Sequence, residues 1–92
     1  VEIIGDLAFF GCSALESVTL PETLTTIGPA AFNGAAIKEI VIPASVTTIG
    51  QEAFANCSSL TKVTMPSSFN AEVTLKSIFL SNYNNIHFTF VD

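Results

Sequence analysis

Few side chains of this 92-residue chain are of the types that carry chemistry, and they are widely separated. His87 is the single histidine, and the thiols of Cys12 and Cys57 have no neighbouring ligand at the spacing of a zinc site. No serine or cysteine stands in a nucleophile motif, and no glycine-rich phosphate loop is present. The sequence therefore predicts that the protein is not an enzyme, holds no metal and uses no cofactor.

The carboxylates are not brought together by their spacing. Glu16, Glu39 and Glu52 occupy different positions of the repeated pattern described below, or opposite faces of its strands. A general acid and a general base must both lie within reach of one substrate, so no paired site is indicated. For His87 the sequence favours an exposed place on a strand, with a protonation switch as the alternative.

A repeated pattern defines the elements that position these side chains. Ile-Gly, Ala-Phe and a closing proline recur in that order: Ile4-Gly5, Ile27-Gly28 and Ile49-Gly50; Ala8-Phe9, Ala31-Phe32 and Ala53-Phe54; Pro21, Pro43 and Pro66. Equivalent positions lie 22 or 23 residues apart, the size of a leucine-rich-repeat unit. Gly28-Pro29 indicates the start of a short helical turn. Gly11, Gly34 and Asn56 follow the phenylalanines and favour the left-handed conformation that ends one.

Before each closing proline the pattern predicts a strand. Its apolar positions are Leu15, Val18 and Leu20; Ile37, Ile40 and Ile42; and Leu60, Val63 and Met65. Side chains alternate along a strand, so the residues directly before and directly after the middle apolar position point outward. The outward set, continued into the last unit, is Ser17, Thr19, Glu39, Val41, Lys62, Thr64, His87 and Thr89.

The string Ile-Gly-x-x-Ala-Phe-x-x-Cys-x-x-Leu-x-x-Val-x-Leu-Pro resembles the BspA-type, or Treponema pallidum-type, leucine-rich repeat. The resemblance covers about residues 1–69. It implies an α/β repeat solenoid: a short right-handed array of 22–23-residue units with one parallel strand per repeat, short helical turns and an atypical C-terminal cap. It also implies a secreted or cell-surface protein of host-associated bacteria or protozoa, in which such arrays serve adhesion and the binding of host proteins.

The pattern predicts a single domain, residues 1–92. It consists of repeats at about 1–21, 22–43 and 44–66 and an atypical unit at 67–92. In that last unit no Ile-Gly follows Phe69, residues 70–77 form an altered connection, and the segment from Ile86 to Phe90 alternates as a strand does. Atypical terminal units cap the core of a solenoid; an aromatic contact surface is the alternative. The start in mid-repeat predicts a processed protein or a piece of a longer array.

Charge and hydropathy exclude two classes of partner. Eight acidic residues stand against three lysines and no arginine, giving a net charge of -5, whereas binding to a phosphate backbone needs a basic surface. No apolar run approaches the roughly 18 residues that span a bilayer. The sequence predicts no nucleic-acid partner and no membrane insertion.

Cys12 and Cys57 occupy the same repeat position two units apart. Strands stack at about 4.8 Å, which places the two residues about 10 Å apart, whereas a disulfide needs alpha carbons within about 7 Å. We therefore expect two buried, reduced thiols. Asn56-Cys57-Ser58 matches the glycosylation sequon, but a turn asparagine is the preferred interpretation.

Two functions remain. In the first, the eight outward residues form a binding face for a protein ligand, including host extracellular proteins as a partner class. In the second, the chain is a structural spacer of a longer surface array with no binding site of its own. The absence of aromatic and arginine anchors among the eight favours the spacer, and the family resemblance favours the binding module.

Overall fold

The computed structural model describes residues 2–91, except for the side chain of Ser81. It contains six strands: β1 (Glu2–Ile4), β2 (Leu24–Ile27), β3 (Glu39–Val41), β4 (Thr48–Ile49), β5 (Lys62–Pro66) and β6 (His87–Val91). Within the described residues one α-helix, α1 (Glu72–Phe79), lies between two short 3-10 segments, Ser67–Phe69 and Leu80–Asn85. Predictions that involve Val1 and Asp92 concern residues outside the described part of the chain.

The strands form two parallel sheets, in the orders β1-β2-β4 and β3-β5-β6. Equivalent positions of successive units stand side by side, with Ile27 opposite Ile49 and Ile40 opposite Val63. The predicted repeat fold with parallel strands is confirmed. The right-handed sense and the unit boundaries stay predictions.

The prediction of one strand per repeat is wrong for the two central units. Each has one strand before its closing proline, β3 or β5, and another ahead of its Ile-Gly pair, β2 or β4. The second strand arises because Leu24 and Ile27 bury their side chains from this side of the unit as well. In the first unit the strand predicted before Pro21 is absent, because residues 15–20 belong to no strand. The carbonyl of Leu15 still accepts a hydrogen bond from the backbone N–H of Ala36, at 2.9 Å.

The predicted helical turns are also wrong: tight turns connect the strands of the two sheets instead. In an α-helix every N–H would bond the carbonyl four residues earlier. Here the N–H of Ala8 bonds Gly5 within its own turn, while the flanking Leu7 and Phe9 donate to the next unit, with Phe9 reaching the Ala31 carbonyl at 2.7 Å. Alternate amides thus tie neighbouring units together, a bonding pattern that helical turns would not provide.

Left-handed backbone at two positions of each turn produces this alternation. The first is the one predicted, where φ is +74° at Gly11, +84° at Gly34 and +58° at Asn56. The second was missed, because Leu7, Ala30 and Glu52 adopt φ of 55–60° although their side chains disfavour that region. The crosslinking amides hold these residues in place, an effect that residue preferences alone do not reveal.

A column of phenylalanines fills the core between the sheets. Phe9, Phe32, Phe54 and Phe79 stack in sequence, with ring centroids 5.1, 5.2 and 5.6 Å apart. Phe32, Ile40 and Ile42 are buried as expected. The repeat pattern predicts that Ile49 is almost wholly buried like its equivalent Ile27, but Ile49 is only half-buried.

The glycines after Ile27 and Ile49 let successive units approach closely. A Cβ on Gly28 would lie 2.7 Å from the backbone nitrogen of Asp6, and one on Gly50 would lie 2.4 Å from that of Pro29. Cβ atoms do not come so close to backbone in folded proteins. Close backbone contact between one unit and the unit before it therefore requires glycine in these Ile-Gly pairs.

The C-terminal segment contains a helix that the sequence did not predict. The altered connection expected at residues 70–77 lies mostly within α1, which buries Leu75, Ile78 and Phe79. Ser77 and Ile78 accept the backbone amides of Glu52 and Phe54, which elsewhere bond a following turn. The strand predicted at residues 86–90 is confirmed as β6, with Phe88 opposite Val63.

Candidate functional site

The eight outward residues line one depression of about 560 Å³ on the β3-β5-β6 sheet. We call this surface the groove face; it comprises Ser17, Thr19, Glu39, Val41, Lys62, Thr64, His87 and Thr89. The structure thus brings together all the residues that alternation placed outward, and it leaves none elsewhere. Their role in binding stays a prediction.

The strands position these side chains by alternation. On β3, Glu39 and Val41 are exposed while Ile40 between them is buried, and on β5 Val63 is buried between Lys62 and Thr64. The parallel register places Glu39, Lys62 and His87 in one row across the sheet and Val41, Thr64 and Thr89 in the next. The groove face is therefore a ladder of two rows that runs across the strands.

Charge is distributed unequally along this ladder. Glu39 lies on β3, whereas Lys62 and His87 lie on β5 and β6. Glu22, which directly follows the closing Pro21, also lines the depression on the side of the first unit. Strand alternation does not identify Glu22, because this residue lies beyond the predicted strand and its closing Pro21. The two glutamates that line the depression therefore lie toward the first unit, and the lysine lies on the next strand, β5.

Val41 lies on β3 two residues after Glu39, and it is 64% exposed. Exposed valines are ordinary in isolation. Here Val41 stands opposite Thr64 on β5 and shares β3 with Glu39, so the groove face offers an exposed apolar contact point beside polar side chains.

Glu39 and Lys62 occupy equivalent positions on adjacent strands, a placement that permits an exposed ion pair. The two residues are indeed opposite each other. No ion pair joins them, however, and within residues 2–91 the pair that forms is Lys76 with Glu72 on α1, at 3.4 Å. An exposed pair contributes only about 0–1 kcal/mol against the entropy of holding two long side chains. Both side chains are exposed to solvent.

The two thiols differ in environment. Cys57 is buried, and its Sγ donates to the Phe32 carbonyl of the preceding unit at 3.1 Å. Burial raises the pKa of the Cys57 thiol, although backbone hydrogen bonds at Ala35 and Gly34 act in the opposite direction. Cys12 is only half-buried, which corrects the expectation of two buried thiols.

We expect a thiol reagent such as iodoacetamide at pH 8 to modify Cys12 well before Cys57. The thiolate is the reactive species, so a raised pKa and burial both slow Cys57. Mass spectrometry of peptides after timed labelling measures each rate. Labelling in denaturant provides the control, because both rates should then converge. Equal rates in the native chain would contradict the packing of Cys57.

Two properties of the described region bear on other classes of site. Residues 2–91 hold no group of three or more histidine, cysteine, aspartate or glutamate side chains arranged to bind a metal ion. Across the same residues, no helix has the length and apolar character needed to cross a membrane.

Comparisons with known proteins identify similar repeats. The family model of the BspA type leucine-rich repeat region matches residues 1–91 in six copies. Among solved structures, a leucine-rich repeat protein from Bacteroides ovatus ATCC 8483, determined at 1.19 Å, is 53% identical with a TM-score of 0.72. The match covers 74% of this chain but only 18% of that one, so the chain spans less than a fifth of the longer protein's length. No curated protein matches the chain significantly.

Proposed function

Because the chain belongs to the BspA-type leucine-rich repeat family, we propose that it is a protein-binding module that takes its partner on the groove face. One observation carries the proposal: the outward residues of successive units line a single depression rather than scattered surfaces. A ladder of this kind offers a continuous recognition surface in repeat proteins. We further propose that the module is part of a secreted or cell-surface protein that functions in adhesion and binds host extracellular proteins.

The charges of the groove face indicate the kind of segment that fits it. A partner segment lying across the strands would place a basic side chain near Glu22 and Glu39 and an acidic one near Lys62 and His87. An apolar side chain near β3 would cover Val41, which shares that strand with Glu39. Complementary charge of this kind chiefly sets orientation and association rate.

The spacer function keeps one observation in its favour. Binding energy concentrates in aromatic and arginine side chains, and the eight residues of the groove face include neither type. A spacer would leave this face solvated and without a partner. The two functions therefore differ in whether changes to the groove face affect binding.

We expect the double charge reversal Glu39→Lys with Lys62→Glu to change binding while leaving stability nearly intact. Exposed residues that form no ion pair contribute little, so the unfolding free energy should move by less than about 0.5 kcal/mol. Association with a partner captured from a panel of immobilised matrix and serum proteins should change at least about tenfold at low salt. Surface plasmon resonance measures the rates, and denaturant unfolding measures the stability.

The matched control is Glu72→Lys with Lys76→Glu, which reverses an exposed pair on α1 and also preserves net charge. It should leave association unchanged. Added salt should weaken wild-type association, because it screens exposed charges beyond about 8 Å at physiological strength. Binding that survives the groove-face reversal, and also substitutions at Ser17 and His87, would remove the groove face from recognition and favour the spacer.

A further inference from the structure

Strand β3 has an open edge in the middle of the chain. The sheet order is β3-β5-β6, so β5 covers one side of β3 only. Ile42, just after β3, donates its backbone N–H to the Thr64 carbonyl of β5 at 2.7 Å. Successive residues of a strand turn their N–H and C=O groups to opposite sides, so those of Glu39 and Val41 point away from β5. Within residues 2–91 these groups have no hydrogen-bond partner.

The first unit does not cover this edge. In the next unit the equivalent strand, β5, pairs with the strand of the unit before it. Residues 16–20 occupy the corresponding place beside β3, but their backbone makes no hydrogen bond in the part of the chain that the structure describes. The bond from the Ala36 N–H to the Leu15 carbonyl lies just ahead of both segments. Beyond that bond the two segments are not paired.

The depression of the groove face extends between these two segments. Leu20 lines it from the first unit, and Ile40 lines it from β3. Both are core residues, with 7% and 3% of their surface exposed, so the depression reaches down to the core. Its volume of about 560 Å³ lies within the range of roughly 300–1,000 Å³ that is typical of ligand pockets. We call the part between residues 16–20 and β3 the edge cleft.

We propose that the edge cleft takes an extended segment of a protein partner, which adds a strand to the open edge of β3. This inference rests on the proposed function and specifies how the partner is held. In strand addition the backbone of the added segment supplies affinity, and its alternate side chains supply specificity. An extended chain presents its N–H and C=O groups at every second residue, which is the spacing of the free groups of Glu39 and Val41.

The residues around the edge cleft specify the side chains of the added segment. Glu22 and Glu39 line the depression, and neither forms an ion pair within the described residues, which favours a basic side chain on the outward side. The next side chain along the segment would point inward beside Ile40, which favours an aliphatic residue. β5 presents this pattern to the other side of β3, with Lys62 opposite Glu39 and Val63 opposite Ile40. The partner segment is therefore a strand in which a basic residue adjoins an aliphatic one.

Amide hydrogen exchange, followed by NMR on the intact chain, tests whether the edge is free. The amides of Glu39 and Val41 should exchange at least about tenfold faster than that of Ile42, which bonds β5. Equal protection of all three amides in the free chain would show that residues 16–20 close on β3 by themselves. That result would overturn the proposal.

The probe is a capped synthetic peptide with the sequence of residues 60–65, which contains the required basic and aliphatic neighbours. At about 1 mM it should slow the exchange of the Glu39 and Val41 amides about tenfold or more. Two control peptides keep every side chain but carry backbone N-methyl groups, one at residues 61, 63 and 65 and the other at 62 and 64. At least one of them should give no protection. Protection by both, or none by the unmodified peptide, would overturn strand addition.

Val41→Pro separates strand addition from recognition of the groove-face side chains. Proline removes the free Val41 N–H, and edge strands tolerate proline where the lost N–H is not part of the ladder. Val41→Ala is the matched control, because it also truncates the side chain but retains the N–H. Denaturant unfolding of both variants checks that each is folded. Val41→Pro should abolish the protection of Glu39 by the peptide, whereas Val41→Ala should retain it.

The same two variants distinguish this proposal from the proposed function when the partner is one captured from the protein panel. Its association should be at least about tenfold weaker with Val41→Pro than with Val41→Ala. A partner that responds to the reversal of Glu39 and Lys62 but binds the two Val41 variants equally would overturn strand addition and leave the proposed function standing. A partner that responds to none of these changes would remove both.

Discussion

Replacing Phe32 with alanine is expected to lower the unfolding free energy by about 3–5 kcal/mol, the range for truncating a buried phenylalanine. Phe32 is fully buried, and its ring stacks on both Phe9 and Phe54. The substitution removes the ring from the middle of the column and leaves a cavity that parallel strands on either side hold open. Denaturant unfolding followed by circular dichroism measures the change.

Phe9→Ala provides the matched control, because it removes the same atoms at the end of the same column. Phe9 stacks on one ring only and is 38% exposed, so its truncation should cost less than half as much. The predicted order of the two losses follows from their places in the stack. A Phe32→Ala loss below about 1 kcal/mol, or one no larger than that of Phe9→Ala, would contradict the register of the units.

Sequence periodicity sufficed to place the core because each core position has one geometric requirement. A phenylalanine recurring with Ile-Gly must face its equivalents when units stack, and Phe54 indeed stacks on both Phe32 and Phe79. Phe88 likewise lies opposite Val63, although the last unit is longer than the others. Stacking thus transmits register from one unit to the next even where the connection changes.

The backbone of the turns was not predictable in the same way. Leu7 and Glu52 give no sign of left-handed φ, since that conformation is imposed by amides that bond the neighbouring unit. The sequence pattern likewise did not indicate the eight-residue helix α1. It lacks a side-chain cap at its start, and Val73 on its exposed side is 82% accessible, which blurs the apolar spacing of a helix. Both features depend on contacts with another unit rather than on local sequence.

The groove face was predictable to the extent that strand alternation controls it. Alternation identified Glu39, Val41 and Lys62, because a side chain between two buried ones has one direction available. It could not identify Glu22, which lies after the strand, and it could not reveal that Glu39 and Lys62 form no ion pair. Side-chain conformation at an exposed site is decided by small energy differences that register does not determine.

Gly50→Ala is expected to be among the most destabilising glycine-to-alanine substitutions in this chain. It should lower the unfolding free energy by at least about 3 kcal/mol, the upper end of the usual cost of overpacking a core. The added Cβ would lie 2.4 Å from the Pro29 nitrogen and 2.8 Å from the Gly28 carbonyl carbon. Both are backbone atoms of the preceding unit, so no side chain can rotate away to relieve the clash. Alanine also restricts the unfolded chain, but that gain of about 0.4–1 kcal/mol is too small to offset it.

The control for this substitution is Gly5→Ala, which makes the same change at the equivalent position of the first unit. With nothing within 4 Å of its Cβ, only the unfolded-state gain remains, and stability should stay level or rise by up to about 1 kcal/mol. Chemical unfolding of the two variants beside the wild type gives the comparison. Opposite signs at equivalent glycines would show that contact between units, rather than local backbone preference, requires glycine in the Ile-Gly pair; equal losses at both positions would refute that explanation.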